Sequence, residues 1–299
     1  MLRRANGFSL IELTVVLAIV GIIGSTIGLL LTRQQRFYRG TSELITTRQG
    51  VRDAIDVLST DIRGMSVGDT ARLLADSAME FFASVGSSVV CQRLDAAHVG
   101  LAPGDLSSFA TQPDTGDLAV FYVDSGPSAA RWLRYRIAGF SARSLSSTCP
   151  VSSGFAAASE AASGVKAFYM AVDAPLRSDI HIGSPVRFLR RGRYSLYHAS
   201  DGEWYLGYRR CNAIGISNCG AIQPVSGPYR PYSRDAGQSG IAFQYFDRSG
   251  ARLADAPLSL ARVDISACAA GRQHLLLDGR RWTPADSARV SVAIRNRLE

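Results

Sequence analysis

Residues 3–32 read RRANGFSLIELTVVLAIVGIIGSTIGLLLT, and this stretch decides the architecture of the chain. The 20 residues from Leu13 to Thr32 carry no charge, and as a helix they would span about 30 Å, the thickness of a bilayer core. A secretory signal would end in a small-residue A-x-A cleavage site. Residues 29–39 instead read LLLTRQQRFYR, so we expect the apolar helix to remain in the mature protein.

Glu12 lies at the start of this apolar run and is the residue that a plain membrane anchor does not explain. An acidic residue at the centre of a membrane helix costs roughly 2.5–3.5 kcal/mol on insertion scales. A carboxylate retained there predicts a partner of opposite charge. Arginines flank the run on both sides, at residues 3–4 and 33–39, so the positive-inside rule does not fix the orientation of the helix.

Residues 3–7 (RRANG) followed by residues 8–12 (FSLIE) resemble the leader and processing site of type IV prepilins and pseudopilins. The resemblance implies that a prepilin peptidase cuts between Gly7 and Phe8 and methylates the amine of Phe8. Glu12 is then the fifth residue of the mature chain. The resemblance further implies subunit docking, in which the Glu12 carboxylate of an incoming subunit meets the positive N-terminal amine of a neighbour. The two opposite charges would offset each other's desolvation.

The apolar run continues into a second helical pattern without any proline before Pro103. Apolar residues recur there at steps of four and three, which predicts an amphipathic helix; they are Val51, Ile55, Leu58, Ile62 and Met65, with Leu44 and Phe37 as earlier members. We therefore expect an α+β protein in which a long helix packs on a β-rich, pilin-like head. The expected segments are a leader (1–7), a transmembrane and filament-core helix (8–32), an amphipathic helix (33–65) and a periplasmic head (66–299).

The head is predicted to be β-rich. The clearest hairpin joins residues 193–198 to 203–208 through a turn at 200–202, and further strands are expected at 117–123, 132–137, 241–246, 261–266 and 289–294. Residues 141–165 are rich in Ser, Ala and Gly and are interpreted as a long loop. Residues 240–250, 260–265 and 289–296 resemble the large minor pilins of the PilW type, which are related to the J-type minor pseudopilins of type II secretion.

That resemblance implies a minor pilin that helps initiate a type IV pilus, placed in the inner membrane before assembly and on the pilus afterwards. Implied partners are other minor pilins, the major pilin, the prepilin peptidase and the inner-membrane assembly platform. The J-type pseudopilin is one alternative. A pilus-borne module that binds DNA or a surface is another, because arginines and aromatics interleave in one region: Arg187, Arg190, Arg191, Arg193, Arg209 and Arg210 with Tyr194, Tyr197, Trp204, Tyr205 and Tyr208.

All five cysteines follow the apolar run, and none forms a C-x-x-C pair. In an exported head, two disulfides and one free thiol are the simplest arrangement. Five choices of the free thiol with three pairings each allow fifteen connectivities. Cys211 and Cys219 are the preferred pair because seven residues separate them in a turn-rich loop, and Cys91 and Cys149 are the candidates for the second.

The chain shows no motif for catalysis. Its single lysine, Lys166, precedes Ala167 and excludes a Walker A motif, and neither G-x-S-x-G nor H-E-x-x-H occurs. The four histidines are scattered along the chain. Asp247, Ser249 and Asp255 fit no calcium-loop pattern and are interpreted as solvated turn residues. We expect no enzyme activity, no cofactor and no metal. The net charge of +8 permits an anionic partner without indicating one.

Overall fold

The computed structural model describes residues 9–65, 73–124, 130–211, 219–254, 259–271, 275–277 and 280–294. Its first element is the helix α1, Leu10–Arg63, whose 54 residues give a length of about 81 Å. Ser9 precedes it in an extended conformation, and Gly64 ends it. The predicted long N-terminal helix is thus confirmed. The leader 1–7 and Phe8 lie outside the described residues.

The head is built from antiparallel strands, as predicted for an α+β protein. Fifteen strands are present in the described ranges: β1 (Leu73–Leu74), β2 (Ala78–Arg93), β3 (His98–Leu101), β4 (Ser108–Phe109), β5 (Leu118–Val123), β6 (Arg131–Ser144), β7 (Lys166–Val172), β8 (Pro185–His198), β9 (Trp204–Arg210), β10 (Gln223–Tyr229), β11 (Ile241–Phe246), β12 (Arg262–Ala270), β13 (Leu275–Leu277), β14 (Arg280–Trp282) and β15 (Ala285–Ala293).

One part of the head is a sheet that carries the second half of α1. Its strands follow the order β2, β8, β9, β10 and β12, and β12 also pairs with β11 and β15. The β8–β9 hairpin runs in register from Gly192 opposite Arg210 to His198 opposite Trp204, which confirms the predicted hairpin. Helix α1 packs on β15, β10 and β12.

The helix contributes an apolar stripe to the core of this sheet. The buried residues are each at most 3 % exposed: Val51, Ala54, Leu58 and Ile62 in the helix and Met65 just beyond its end. The predicted stripe is correct over this range, although Ile55 is only partly buried. Its extension back to Phe37 is wrong, because that side chain is 66 % exposed. Followed toward its N-terminus, the helix therefore leaves the head before it reaches the apolar run.

The other part of the head is a closed barrel of six antiparallel strands. The pairings run from β2 to β3, β7, β6, β5 and β8, and β8 returns to β2. Each strand places an apolar side chain that is at most 1 % exposed in the interior: Val90, Val99, Met170, Ile137, Phe121 and Phe188. Strands β2 and β8 belong to both parts and join the barrel to the helix-bearing sheet. The sequence did not predict this closure.

The prediction of a long loop at residues 141–165 is wrong. Its first part is a strand, and the rest contains short helices. Strand β6 continues to Ser144 and pairs with β7, and two short helices follow, α2 (Leu145–Thr148) and α3 (Ala158–Ala162). A Cβ on Gly100 in β3 would lie 1.7 Å from the Thr148 carbonyl oxygen. Helix α2 thus packs directly on the barrel, and only glycine permits this approach.

Candidate functional site

The N-terminal half of α1 stands clear of the head and exposes its apolar side chains. Leu10 is 81 % exposed, Ile22 67 % and Leu29 62 %. Among the described residues, α1 is the one helix long and apolar enough to cross a membrane, and no part of its most apolar window is buried in the head. Isolated in water, such a surface would be costly. The exposed half therefore requires a lipid environment or neighbouring helices.

Glu12 lies in the first turn of α1, fully within this exposed half. Its backbone N–H donates a hydrogen bond to the Ser9 carbonyl oxygen at 3.0 Å. Within the part of the chain that the structure describes, no side chain forms an ion pair with its carboxylate. The Glu12 side chain is exposed. Gly7 and Phe8, the predicted processing residues, lie outside the described ranges.

Two tyrosines fasten the second half of α1 to the sheet. The Tyr229 hydroxyl donates to the Gly50 carbonyl oxygen at 2.5 Å, and the Tyr194 hydroxyl donates to Asp61 Oδ2 at 2.5 Å. Burial raises the pKa of Asp61, and the hydrogen bond from Tyr194 opposes that rise. Burial also raises the pKa of Tyr229 to about 12. These contacts fix the orientation of the head relative to the apolar half of the helix.

The arginines of β8 and β9 lie against buried carboxylates. Glu80 is 1 % exposed, and it accepts hydrogen bonds from Arg191 Nε at 2.6 Å and Arg193 Nη2 at 2.6 Å. On the opposite face of β8, Arg190 Nη2 donates to Asp117 Oδ2 at 2.7 Å. Arg210 Nη2 donates to Asp117 Oδ1 at 3.0 Å. Charge-assisted pairs of this kind are among the stronger hydrogen bonds in proteins.

This pairing changes the interpretation of the interleaved arginines and aromatics. Four of the six arginines in the predicted nucleic-acid surface form ion pairs with carboxylates. Arg187 lies over the Trp132 ring, with 4.9 Å between its Cζ and the ring centroid. Tyr194 is 5 % exposed and binds α1. Four of the eleven side chains proposed to hold DNA therefore pair with carboxylates of the head, and a fifth binds the helix. The contacts disfavour a nucleic-acid surface at this place.

The cysteines form two disulfides and leave one thiol. The structure joins Cys211 to Cys219 and Cys91 to Cys149. Cys268 is free and buried, and its thiol donates to the Gly237 carbonyl oxygen at 3.4 Å. Both Cys91 and Cys149 are 0 % exposed. The predicted count of two disulfides and one thiol is present.

One cluster has the spacing of a metal site but not its chemistry. The carboxylate of Glu80 and the sulfurs of Cys211 and Cys219 lie within 4.8 Å of one another. A metal requires thiolates, whereas both sulfurs are bonded to each other. Glu80 also accepts hydrogen bonds from two arginines, whose positive charge repels a cation. These three residues do not fit a metal ion.

The remaining polar candidates have local partners. The Ser249 hydroxyl donates to Asp247 Oδ1 at 2.7 Å, and this hydrogen bond lowers the pKa of Asp247. His98 Nδ1 lies 2.7 Å from Asp95 Oδ1, and His198 Nε2 lies 3.1 Å from the Gly202 carbonyl oxygen. Asp255 and His274 fall outside the described ranges.

Comparison with known proteins identifies the N-terminal stretch and nothing beyond it. The family model described as the prokaryotic N-terminal methylation motif matches residues 2–28. No curated protein and no solved structure matches the chain. The motif is the prepilin signal of type IV pilin-like proteins, and it supports a pilin-like or pseudopilin-like protein. It implies processing by a prepilin peptidase and assembly with pilus machinery, and with the apolar helix it fits membrane anchoring before assembly.

Proposed function

We propose that the chain is a minor pilin, a low-copy structural subunit that helps to initiate a type IV pilus near its tip. The observation that carries the proposal is the methylation motif at residues 2–28 leading into a single helix, Leu10–Arg63. The first half of that helix is exposed and apolar, and one face of its second half packs on the head. A subunit of this shape can insert its first half among the helices of other subunits while it displays the head outside.

Processing comes first in this proposal. The peptidase cuts between Gly7 and Phe8 and methylates Phe8, while α1 holds the chain in the inner membrane with the head in the periplasm. Two disulfides in the head fit an oxidising compartment. Non-reducing peptide mapping of the exported protein tests this location. Alkylation of Cys91 or Cys211 in the folded, native protein would contradict a periplasmic head.

Docking through Glu12 follows from a comparison of two energies. Placing the carboxylate in the membrane costs at most roughly 2.5–3.5 kcal/mol, the value for the centre of a membrane helix. Opposite unit charges 4 Å apart attract by about 4 kcal/mol at an effective dielectric constant of 20. Contact with the N-terminal amine of a neighbouring minor or major pilin therefore offsets the cost only in the assembled state. Glu12 sets the axial position of the subunit because the attraction decreases with distance.

The low copy number follows from the size of the head. Residues 66–299 number 234, and a compact domain of that length has a radius of gyration of about 17 Å and a width of about 45 Å. A helix with its side chains is only about 10–12 Å wide. The six-stranded barrel lies beside the helix-bearing sheet and adds to the bulk. Heads of this width would crowd one another if each position of a filament carried one.

The substitution Glu12→Ala tests the docking role. We expect the variant to insert in the membrane and to form both disulfides, but to enter pili poorly, so that few or no pili form. Asp53→Ala is the matched control, because it removes an exposed carboxylate from the same helix outside the apolar run. Normal piliation in the Glu12→Ala strain would refute docking through this carboxylate.

A J-type pseudopilin of type II secretion is the second candidate, since the same motif at residues 2–28 serves both assemblies. The size of the head favours the pilus. A J-type subunit is expected to carry a smaller head, and the barrel is an addition to the helix-bearing sheet.

A further inference from the structure

A short basic and aromatic segment of α1, residues 33–39, lies between the apolar run and the head. It reads RQQRFYR, and the uncharged run ends one residue earlier, at Thr32. Followed from its N-terminus, α1 is exposed through Arg39, and Gly40 is its first partly buried residue. Residues 33–39, named the collar below, are therefore the part of the helix that separates the apolar surface from the head.

The length of the collar matches the headgroup layer of a bilayer. The helix is continuous from Leu10 to Arg63, so the direction from the apolar run to the collar is that of the helix axis. At 1.5 Å per residue the collar extends about 9 Å. The headgroup layer on each side of the hydrocarbon is about 5–8 Å thick. When the uncharged run fills the hydrocarbon, the collar lies among the headgroups and the head begins directly above them.

The side chains of the collar point to different sides of the helix. Successive residues are rotated by about 100°, so Arg33, Arg36 and Arg39 cover an arc of about 120° and the two aromatic residues point elsewhere. Phe37 is 66 % exposed and Tyr38 is 71 % exposed. A segment that docked on the head would present one face to it. The observed distribution fits a layer that surrounds the helix, and aromatic and basic residues are enriched in that layer.

The three arginines of the collar are exposed cations. Within the ranges that the structure describes, no carboxylate forms an ion pair with any of them. In the proposed function the arginines at residues 3–4 leave with the leader, while the collar remains on the periplasmic side of the membrane. Short loops on that side usually carry fewer basic residues than those on the cytoplasmic side. Three arginines retained there indicate a counter-charge at the same depth, which the phosphates of anionic phospholipids supply.

We propose that the collar binds the headgroups of anionic phospholipids in the periplasmic leaflet of the membrane that α1 spans. The guanidinium groups donate hydrogen bonds to the lipid phosphates, while Phe37 and Tyr38 lie at the boundary with the acyl chains. Salt and water screen these contacts, so they hold the helix at one depth and still allow the subunit to be extracted. The inference rests on the membrane anchoring in the proposed function.

Binding at the collar also sets the depth of Glu12. That residue precedes Arg33 by 21 positions, which is about 32 Å of helix. The hydrocarbon is about 30 Å thick. With Arg33 at the periplasmic headgroups, the Glu12 carboxylate lies at the cytoplasmic boundary, where water reaches it. Movement of the subunit toward the periplasm releases the collar and carries Glu12 into the hydrocarbon, where the amine of a neighbour offsets the cost.

The test counts the lipids that the full-length protein retains. The chain is placed in nanodiscs of equal parts phosphatidylglycerol and phosphatidylcholine, and the bound lipids are identified by native mass spectrometry. We expect the unmodified chain to retain phosphatidylglycerol preferentially and Arg33→Gln/Arg36→Gln/Arg39→Gln to lose that preference. Each arginine removed should reduce the preference about fivefold, the equivalent of about 1 kcal/mol per basic residue at an anionic surface.

The matched control is Arg48→Gln/Arg52→Gln/Arg63→Gln. It removes the same charge from exposed positions of the same helix beyond the collar and should leave the preference unchanged.

A second measurement gives the depth of the collar. Phe37→Trp keeps an aromatic side chain there and adds one fluorophore, whose signal is the difference from the unmodified chain. A phospholipid brominated near the headgroup end of its acyl chains should quench this added signal more strongly than one brominated near the terminal methyl groups.

Each other outcome overturns the inference. An equal lipid preference in the unmodified chain and the collar variant would exclude binding by the three arginines, and an equal loss in the control would spread the attraction along the helix. Stronger quenching by deep bromine would contradict the depth. Unchanged lipid preference with loss of pili in the collar variant would assign the arginines to another subunit. Failure of the chain to enter nanodiscs, which gel filtration detects separately, would contradict the membrane anchor itself.

Discussion

Truncation at residue 66 is expected to unfold the head, because α1 supplies part of its core. Val51, Leu58, Ile62 and Met65 are each at most 3 % exposed. Burying one such side chain stabilises a protein by about 1.5–3 kcal/mol, so the four contribute about 6–12 kcal/mol, as an upper estimate. The whole net stability of a domain is about 5–15 kcal/mol. A chain of residues 66–299 should therefore lack a native head, whereas a chain of residues 34–299 should retain it.

Both chains can be exported to the periplasm behind a secretory signal and compared by near-ultraviolet circular dichroism during heating. We expect a cooperative transition for residues 34–299 and none for residues 66–299. The point variant Leu58→Ala should cost about 2–5 kcal/mol, which lowers the melting temperature by about 4–20 °C. Its control, Ile45→Ala, alters a residue that is 50 % exposed and should change stability by less than about 0.5 kcal/mol. A cooperative transition of residues 66–299 within a few degrees of the longer chain would refute the reasoning.

Three further predictions concern processing and the buried charges. Mass spectrometry of the native protein should show a chain that begins at Phe8 and carries one added methyl group; an intact N-terminus in cells with an active peptidase would contradict this. Glu80→Gln leaves Arg191 buried without its counter-charge and should cost about 3–5 kcal/mol in a denaturant titration, and a loss below 1 kcal/mol would argue against the pair. Burial raises the pKa of Asp61 in the folded state. The stability that its carboxyl group contributes is therefore fully present below the pKa of the unfolded state and is lost as the pH rises through the raised pKa of the folded state. Asp61→Asn should remove this pH dependence of the free energy of unfolding, and an unchanged pH profile would exclude the effect.

The sequence predicted the elements whose signal is local. The uncharged run and the periodicity from Val51 to Met65 predicted α1, and alternation with a turn predicted the β8–β9 hairpin. The strands at 241–246 and 261–266 appear as Ile241–Phe246 and within Arg262–Ala270. The pair Cys211–Cys219 could be predicted for the same reason, since the two residues are only 8 positions apart.

The barrel was missed because its closure depends on pairings between distant strands. Strand β2 pairs with β8, about a hundred residues later, and its register shifts between Ser84 and Gly86, which interrupts the alternation of apolar residues. The partners of the β8 arginines were hidden in the same way. Glu80 lies 111 and 113 residues from its two arginines, and Asp117 lies 73 residues from Arg190. Periodicity over a short window contains no information on such pairs, so a paired cluster resembled an exposed basic surface.

The most direct test of the proposed function is a deletion of the gene, scored in one strain background for both surface pili and exoprotein release. A minor pilin that initiates the pilus predicts loss of surface pili with unchanged secretion, and restoration of pili by the native chain but not by the Glu12→Ala variant. Loss of secretion with intact pili would contradict the proposal and assign the chain to type II secretion.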